Sequence, residues 1–286
     1  MEGTSAARRG YLTDGEAILG YASVVAFLAV SVLAVVTGRW KLLAIAWIAF
    51  GAMAGGALLG ARVSDRNPTR LVWGYGLASG AMITSAAVFL VPQAISQHAQ
   101  VGGFGIAAGV LVGYNAHTIG HRLTHLELPM DTTATELAAH ALSAGLIIGI
   151  IYAAMPELGL LLGISIVSHK GPAGYAAARR STLAGQSALP ILLPSAGVGL
   201  TSIPIALVAL PESAAFNAAV FGFASGVFLH VAMDFLPSCE VGGEIDQLSD
   251  HDDHAHAALD RMRTHALVST TLGGLAVFVA WLTVAA

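Results

Sequence analysis

The chain has 286 residues, of which 56% are hydrophobic and only 10% charged, and its mean hydropathy is +0.73. Soluble domains carry about 25% charged residues, so this composition excludes a water-soluble enzyme and a nucleic-acid-binding module, and a single cysteine, Cys239, excludes a disulfide scaffold. A formal net charge of −4 adds little. Charged residues are missing from long stretches, among them 17–38, 42–61, 71–121, 137–156, 181–211, 213–233 and 264–286. Roughly 20 apolar residues cross the hydrocarbon of a bilayer, so the expected class is an all-α polytopic membrane protein.

Glycine, proline and glutamine punctuation divides these stretches into nine expected spans, at 17–38, 41–61, 72–93, 101–121, 133–153, 157–178, 187–210, 214–236 and 265–285. The first follows Arg8 and Arg9 in the manner of a signal peptide. Its apolar run is longer than the usual core of about 7–15 residues, and no small-x-small cleavage site follows, so it is read as a retained helix. The stretch 71–121 holds two spans, broken at the polar, glycine-rich segment 97–103. The sixth span is unusual in carrying His169, Lys170 and Pro172, which a lipid-facing helix would not. Between the eighth and ninth spans lies the largest polar segment, 238–262, with His251, Asp252, Asp253, His254 and His256.

Lysine and arginine near span ends resist translocation. With the N-terminus in the cytoplasm, 10 basic residues (Arg8, Arg9, Arg62, Arg66, Arg70, Arg122, Arg179, Arg180, Arg261 and Arg263) fall inside and only Arg39 and Lys41 fall outside. The expectation is therefore a multi-pass protein of the cell membrane with a cytoplasmic N-terminus, an external C-terminus and the 238–262 loop inside.

Ionisable side chains within spans cost a few kcal/mol each, on the order of 2.5–3.5 on insertion scales, and usually face a bundle interior or a water-filled path. Here they cluster. Glu136 and His140 are four residues apart on one face of the fifth span, with Ser143 next on it. His169 and Lys170 lie on the sixth with Pro172, and His230 and Asp234, again four apart, lie on the eighth before Pro237. Imidazole and carboxylate donors converging from neighbouring helices suit a borderline divalent cation such as Zn²⁺. Pro172 removes a helix hydrogen bond beside His169, and broken helices at membrane depth line cavities. The bland alternatives are histidines bonded to a neighbouring helix and, for His230 and Asp234, an interfacial cap. The glycine pairs Gly51 with Gly55 and Gly56 with Gly60 read as close helix packing.

These residues carry a resemblance. His140-Ala141-Leu142-Ser143-Ala144-Gly145 resembles the H-N-x-P-E-G motif in the fourth helix of the ZIP (Zrt/Irt-like) metal transporters, and His169-Lys170-Gly171-Pro172-Ala173-Gly174 resembles their fifth-helix H-E-x-P-E-G motif. Residues 222–237, with Gly222, Gly226, Phe228, His230, Asp234 and Pro237, are similar to the family's G-x-x-x-G-x-F-L-Y-V-A-x-x-D/E-x-L-P stretch, and 74–92 is weakly similar to its second helix. The resemblance covers about 41–286 and implies a ZIP-like eight-helix bundle plus one N-terminal transmembrane helix. It divides the chain into 1–40, a tail and extra helix, and 41–286, the transmembrane domain. The departures are equally plain. Ala141, Ala144, Lys170 and Ala173 stand where the family has its metal-binding amide and acids, so the resemblance leaves at most one metal site, with Glu136, His140 and His169 as ligands. Ser143, Lys170, Pro172, His230 and Asp234 would line the transport path. The family's histidine-rich cytoplasmic loop suggests a relay of His117, His121 and His125, with a functionless surface stripe as the alternative; His251, His254 and His256 read first as part of a solvated loop and second as a weak metal site on the inside that would join the relay.

The expected function is gradient-driven uptake of a divalent metal, Zn²⁺ or a similar transition metal as substrate, through spans 5, 6 and 8. The alternative is a degenerate ZIP-fold protein acting as a sensor, a subunit or a carrier of another solute. An enzyme is not expected, since an intramembrane metallohydrolase would need an H-E-x-x-H-like arrangement that the chain lacks. The expected partners are a divalent metal ion, the lipid bilayer and a second copy of the chain in a homodimer, with no nucleic acid. Lys170, buried among spans, is expected to pair with Asp234 or Glu136.

Overall fold

The computed structural model describes residues 2–62, 68–123, 132–154, 159–211, 213–240 and 253–285, and within them the secondary structure is helical, with no strand. The helices are α1 (Glu2–Val36), α2 (Trp40–Arg62), α3 (Pro68–Ser85), α4 (Val91–Gln97), α5 (Ala99–Leu123), α6 (Thr132–Ala154), α7 (Gly159–Leu183), α8 (Leu192–Ile205), α9 (Ala214–Glu240) and α10 (Asp253–Ala285). Among the described residues, six helical segments are long and apolar enough to cross a membrane: Gly15–Val36, Trp40–Arg62, Thr69–Gln97, Ala134–Ala153, Ala214–Met233 and Asp260–Thr283. The protein is a polytopic α-helical membrane protein.

Local chemistry explains two of the helix ends. Gly38 and Gly185 adopt φ +71°, the left-handed region that glycine enters without steric cost. The following amides then reach back five residues, Arg39 to the Ala34 carbonyl and Gln186 to that of Ser181, which terminates α1 and α7. Helices α3 and α4 run as one rod through a π-helical turn, Ala86–Leu90. Pro92 has no amide proton to bond back along the helix, and Val91 N–H instead donates to the Ala86 carbonyl.

Two segments differ from the sequence expectation. The seventh span is shorter than 187–210, because the apolar helix covers only Leu189–Ile205, starting as a 3₁₀ turn at Pro190 and unwinding after Pro204. The polar 238–262 segment is shorter as a loop, because α9 runs on to Glu240 and α10 begins at Asp253. Residues 255–262, Ala-His-Ala-Ala-Leu-Asp-Arg-Met, are mostly good helix formers and extend the last helix beyond its apolar part.

Between apolar helices in lipid the association comes from close packing, which small residues permit. The helices pair accordingly. A Cβ on Gly56 or Gly60 of α2 would strike the carbonyls of Gly171 or Tyr175 of α7, and one on Gly174 would strike that of Met53. Gly109 and Gly226 bring α5 against α9, Gly80 and Gly273 bring α3 against α10, and Gly145 and Gly149 bring α6 against α8. The packing expectation holds for Gly56 and Gly60; Gly51 and Gly55 have open space beside them. Helix α1 is tied to the bundle by Phe27, fully buried against Gly199 of α8 and stacked on Phe50 at 5.2 Å. Large apolar side chains on the outer faces, such as Val25, Leu59, Phe104, Leu111, Leu267 and Val279, are exposed, as a lipid environment allows.

Candidate metal centre

Helices α6, α7 and α9 place three rings together in the bundle interior. His140 and His169 have ring centres 5.8 Å apart, and Phe228 of α9 lies 5.9 Å from the first and 5.3 Å from the second. Two imidazoles on one tetrahedral Zn²⁺, with Zn–N bonds of about 2.1 Å, hold their ring centres roughly 5.3 Å apart. The observed spacing is about 0.5 Å longer than that. His140 is 6% exposed and His169 and Lys170 are each 1% exposed. Both ring nitrogens of His140 are buried and make no hydrogen bond to any described residue, so the ring is not a histidine satisfied by a neighbouring helix.

The two motif glycines hold this pair in place. Gly145, five residues after His140, lies against Thr201 and Val198 of α8, and Gly174, five after His169, lies against Met53 of α2. Each histidine is thereby carried on a helix with a fixed backbone contact one to two turns away. Ser143 is half-buried, and its hydroxyl donates to the His140 carbonyl at 3.0 Å, so its proton is committed to its own helix.

The positions where the resembled motifs carry ligands are filled by packing. Ala141 meets α8 at Gly197, and Ala144 and Ala173 belong to the hydrophobic core. Among the described residues no group of three or more His, Cys, Asp or Glu side chains is close enough together to hold a metal ion. Glu136 is half-buried at the start of α6 and has interactions of its own, and the structure does not bring it to the two histidines as a third ligand.

Lys170 follows His169 along the chain and is buried in the same helix. Its Nζ is buried and makes no hydrogen bond to any described residue. The expected ion pair with Glu136 is therefore not formed, and the Asp234 side chain lies outside the described residues. His230 is buried, with its ring against Gly113 of α5. Residues two apart on a helix point about 200° apart, so Phe228 faces α6 and α7 while His230 faces α5. His117 and His121 lie on α5, and His254 and His256 on the first turns of α10, with side chains outside the described residues; His125 and His251 lie outside them altogether.

Two features escaped the sequence reading. Phe228 walls the histidine pair; its signal was its place in the 222–237 motif, but period alone does not tell which helix it meets. Behind the α7 segment that bears the centre, a cavity of about 630 Å³ lies between α2, α3 and α7, lined by Gly56, Leu59, Trp73, Gly171, Pro172 and Tyr175, with Arg70 also on its wall. Trp73 Nε1–H donates to His265 Nδ1 at 3.2 Å, which ties that wall to α10.

No protein-family model and no curated protein matches this chain. The resemblance to the ZIP transporters accordingly rests on the motif residues and their spacing.

Proposed function

We propose that the protein is a ZIP-like membrane transporter that moves a divalent transition metal, Zn²⁺ or a close relative, toward the cytoplasm down its gradient. The observation that carries this reading is the buried pair His140 and His169, on consecutive helices, with ring centres 5.8 Å apart and both nitrogens of His140 without a hydrogen bond. Neutral imidazole is a good ligand for such cations, and a buried imidazole with two unused nitrogens is costly unless something occupies them. In this reading all nine expected spans cross the bilayer, with the N-terminus inside and the C-terminus outside, and α6, α7 and α9 line the path. The cation is substrate, and a second metal beside it is precluded by Ala144, Ala173 and Lys170.

The test is ⁶⁵Zn²⁺ uptake into vesicles holding the purified protein, with His140→Ala and His169→Ala as controls for the site. Uptake by the parent that both variants abolish supports the reading. Equal uptake by parent and variants, with both variants folded, refutes it.

A second reading has a specific observation in its favour. Lys170, the residue after His169, is buried and its Nζ has no described hydrogen-bond partner. If that group alone sets the field, the chain is a degenerate ZIP-fold protein that no longer passes metal, and Lys170→Met should create zinc uptake that the parent lacks.

A further inference from the structure

Packed protein interiors leave few voids larger than a water molecule. The cavity of about 630 Å³ between α2, α3 and α7 departs from that, and its volume falls in the range of small-molecule sites, roughly 300–1,000 Å³. Its wall changes character along its length. Ala52, Leu59, Trp73, Leu77, Pro172 and Tyr175 supply apolar surface, whereas Thr69 and Arg70 supply polar groups at the start of α3. Only five residues separate Arg62 from Pro68, so α3 starts at the end of the bundle where α2 stops. Gly56 lies on Gly171 and Gly60 on Tyr175, so α2 and α7 run in the same direction and Arg180 stands at that end as well. Arg62, Arg70 and Arg180 are all exposed there. Asp260 of α10, whose Met262 meets Thr69, bonds to Arg263 at 3.3 Å. From Arg70 to Leu77 the wall runs about 10 Å along α3 toward the bilayer interior. Leu59 is exposed, so the cavity reaches the outer, lipid-facing surface.

A cavity with a basic mouth and an apolar depth, open to the lipid, has the shape and polarity of a lipid turned head to the membrane surface. We propose that it is a binding site for an anionic phospholipid, with one acyl chain along Trp73, Leu77 and Pro172 and the headgroup phosphate on Arg70. Basic pockets between membrane helices bind anionic headgroups, and a guanidinium matches phosphate with two parallel hydrogen bonds. Arg70 has an interaction of its own, and its five N–H donors serve that partner and a phosphate together. A free phosphate would leave the apolar depth unfilled, and a zwitterionic lipid would bring its own cation to a mouth that already holds arginines. The acyl chain packs on Gly171 and Pro172, within one turn of His169, where proline deprives α7 of an amide hydrogen. The lipid thereby braces the segment of α7 that carries the histidine.

The experiment uses the full chain in detergent micelles carrying equal mole fractions of phosphatidylglycerol or phosphatidylcholine, without zinc. Phosphatidylglycerol should raise Tm by about 5 °C over phosphatidylcholine. With Trp40→Phe, Trp47→Phe and Trp281→Phe, Trp73 is the remaining indole. Brominated acyl chains should quench it more strongly when phosphatidylglycerol carries them. A Cβ on Gly171 has no listed neighbour closer than the Ala52 carbonyl at 3.6 Å, so Gly171→Leu places its side chain in the cavity. That variant, or Ala52→Leu on the facing wall, should fold and lose both the shift and the quenching. Arg70→Gln should fold and keep less than half of the shift. Equal Tm and equal quenching in the two lipids overturn the anionic lipid. A full shift in the folded cavity-filling variants overturns the cavity as its site, and a full shift in Arg70→Gln overturns the phosphate contact. The same shift from inorganic phosphate alone overturns the acyl chain. Each of these outcomes leaves the transport reading where it stands, because no metal takes part.

Discussion

Replacement of Lys170 by methionine separates a buried, unpaired amino group from a buried ion pair, because the two predict opposite signs. The side chain is 1% exposed, ranks among the largest fully buried ones, and Nζ has no described hydrogen-bond partner. A lysine at the centre of a membrane helix costs about 2.5–3.5 kcal/mol on insertion scales. Methionine has nearly the same length and fills irregular space well, so the packing change costs less than about 1.5 kcal/mol. The variant should therefore be more stable than the parent by roughly 1–3 kcal/mol. The assay is equilibrium unfolding in mixed micelles, in buffer free of zinc. Removing one partner of a buried ion pair instead destabilises by about 3–5 kcal/mol. A loss of that size in Lys170→Met would show that Lys170 is paired, with Asp234 the acid expected from the sequence, and would refute the account of the centre as lacking an acid.

The remaining predictions concern the ligands, the packing and the topology. His140→Ala and His169→Ala should each weaken zinc binding more than about 100-fold, beyond what loss of a supporting contact produces, as read by isothermal titration of the purified protein. Gly174→Leu drives a side chain into the Met53 carbonyl and should lower stability by about 2 kcal/mol or more, whereas Gly51→Leu, with open space beside it, should change it by less than about 0.5 kcal/mol. The same unfolding assay reads both, and equal effects would refute the α2 and α7 contact. In a Cys239→Ser background, Ser249→Cys should resist an impermeant thiol reagent in intact cells; labelling from outside would overturn the cytoplasmic placement of that segment and the inward direction of transport.

Much of the architecture was legible along the chain because a bilayer imposes a one-dimensional signal. Charge-free runs of about 20 residues have one stable outcome in lipid, a helix that satisfies its own backbone. The turns at Gly38 and Gly185 were not singled out, and the sixth expected span stopped at 178 where α7 runs on to Leu183; only the structure shows those two glycines in the left-handed region. The lengths of the seventh span and of the 238–262 loop were misjudged. Proline at 190 and 204 trims an apolar run that composition alone would extend, and helix-forming residues continue α10 into polar sequence.

The centre divides in the same way. Sequence by itself placed His140 and His169 in two consecutive expected spans, each with a glycine five residues later, in segments that resemble two motifs whose acids are replaced here. It could not decide which of the ionisable residues meet, because that depends on how each helix is rotated about its axis and which neighbour it packs against. Gly145 against α8 and Gly174 against α2 set those rotations for α6 and α7. The result brings the two imidazoles to 5.8 Å, turns Phe228 toward them and His230 toward α5, and leaves Lys170 Nζ buried with no hydrogen bond to Glu136. Periodicity assigns a residue to a face of its own helix; only the backbone contacts between helices, made where a missing Cβ lets two of them touch, determine what that face meets.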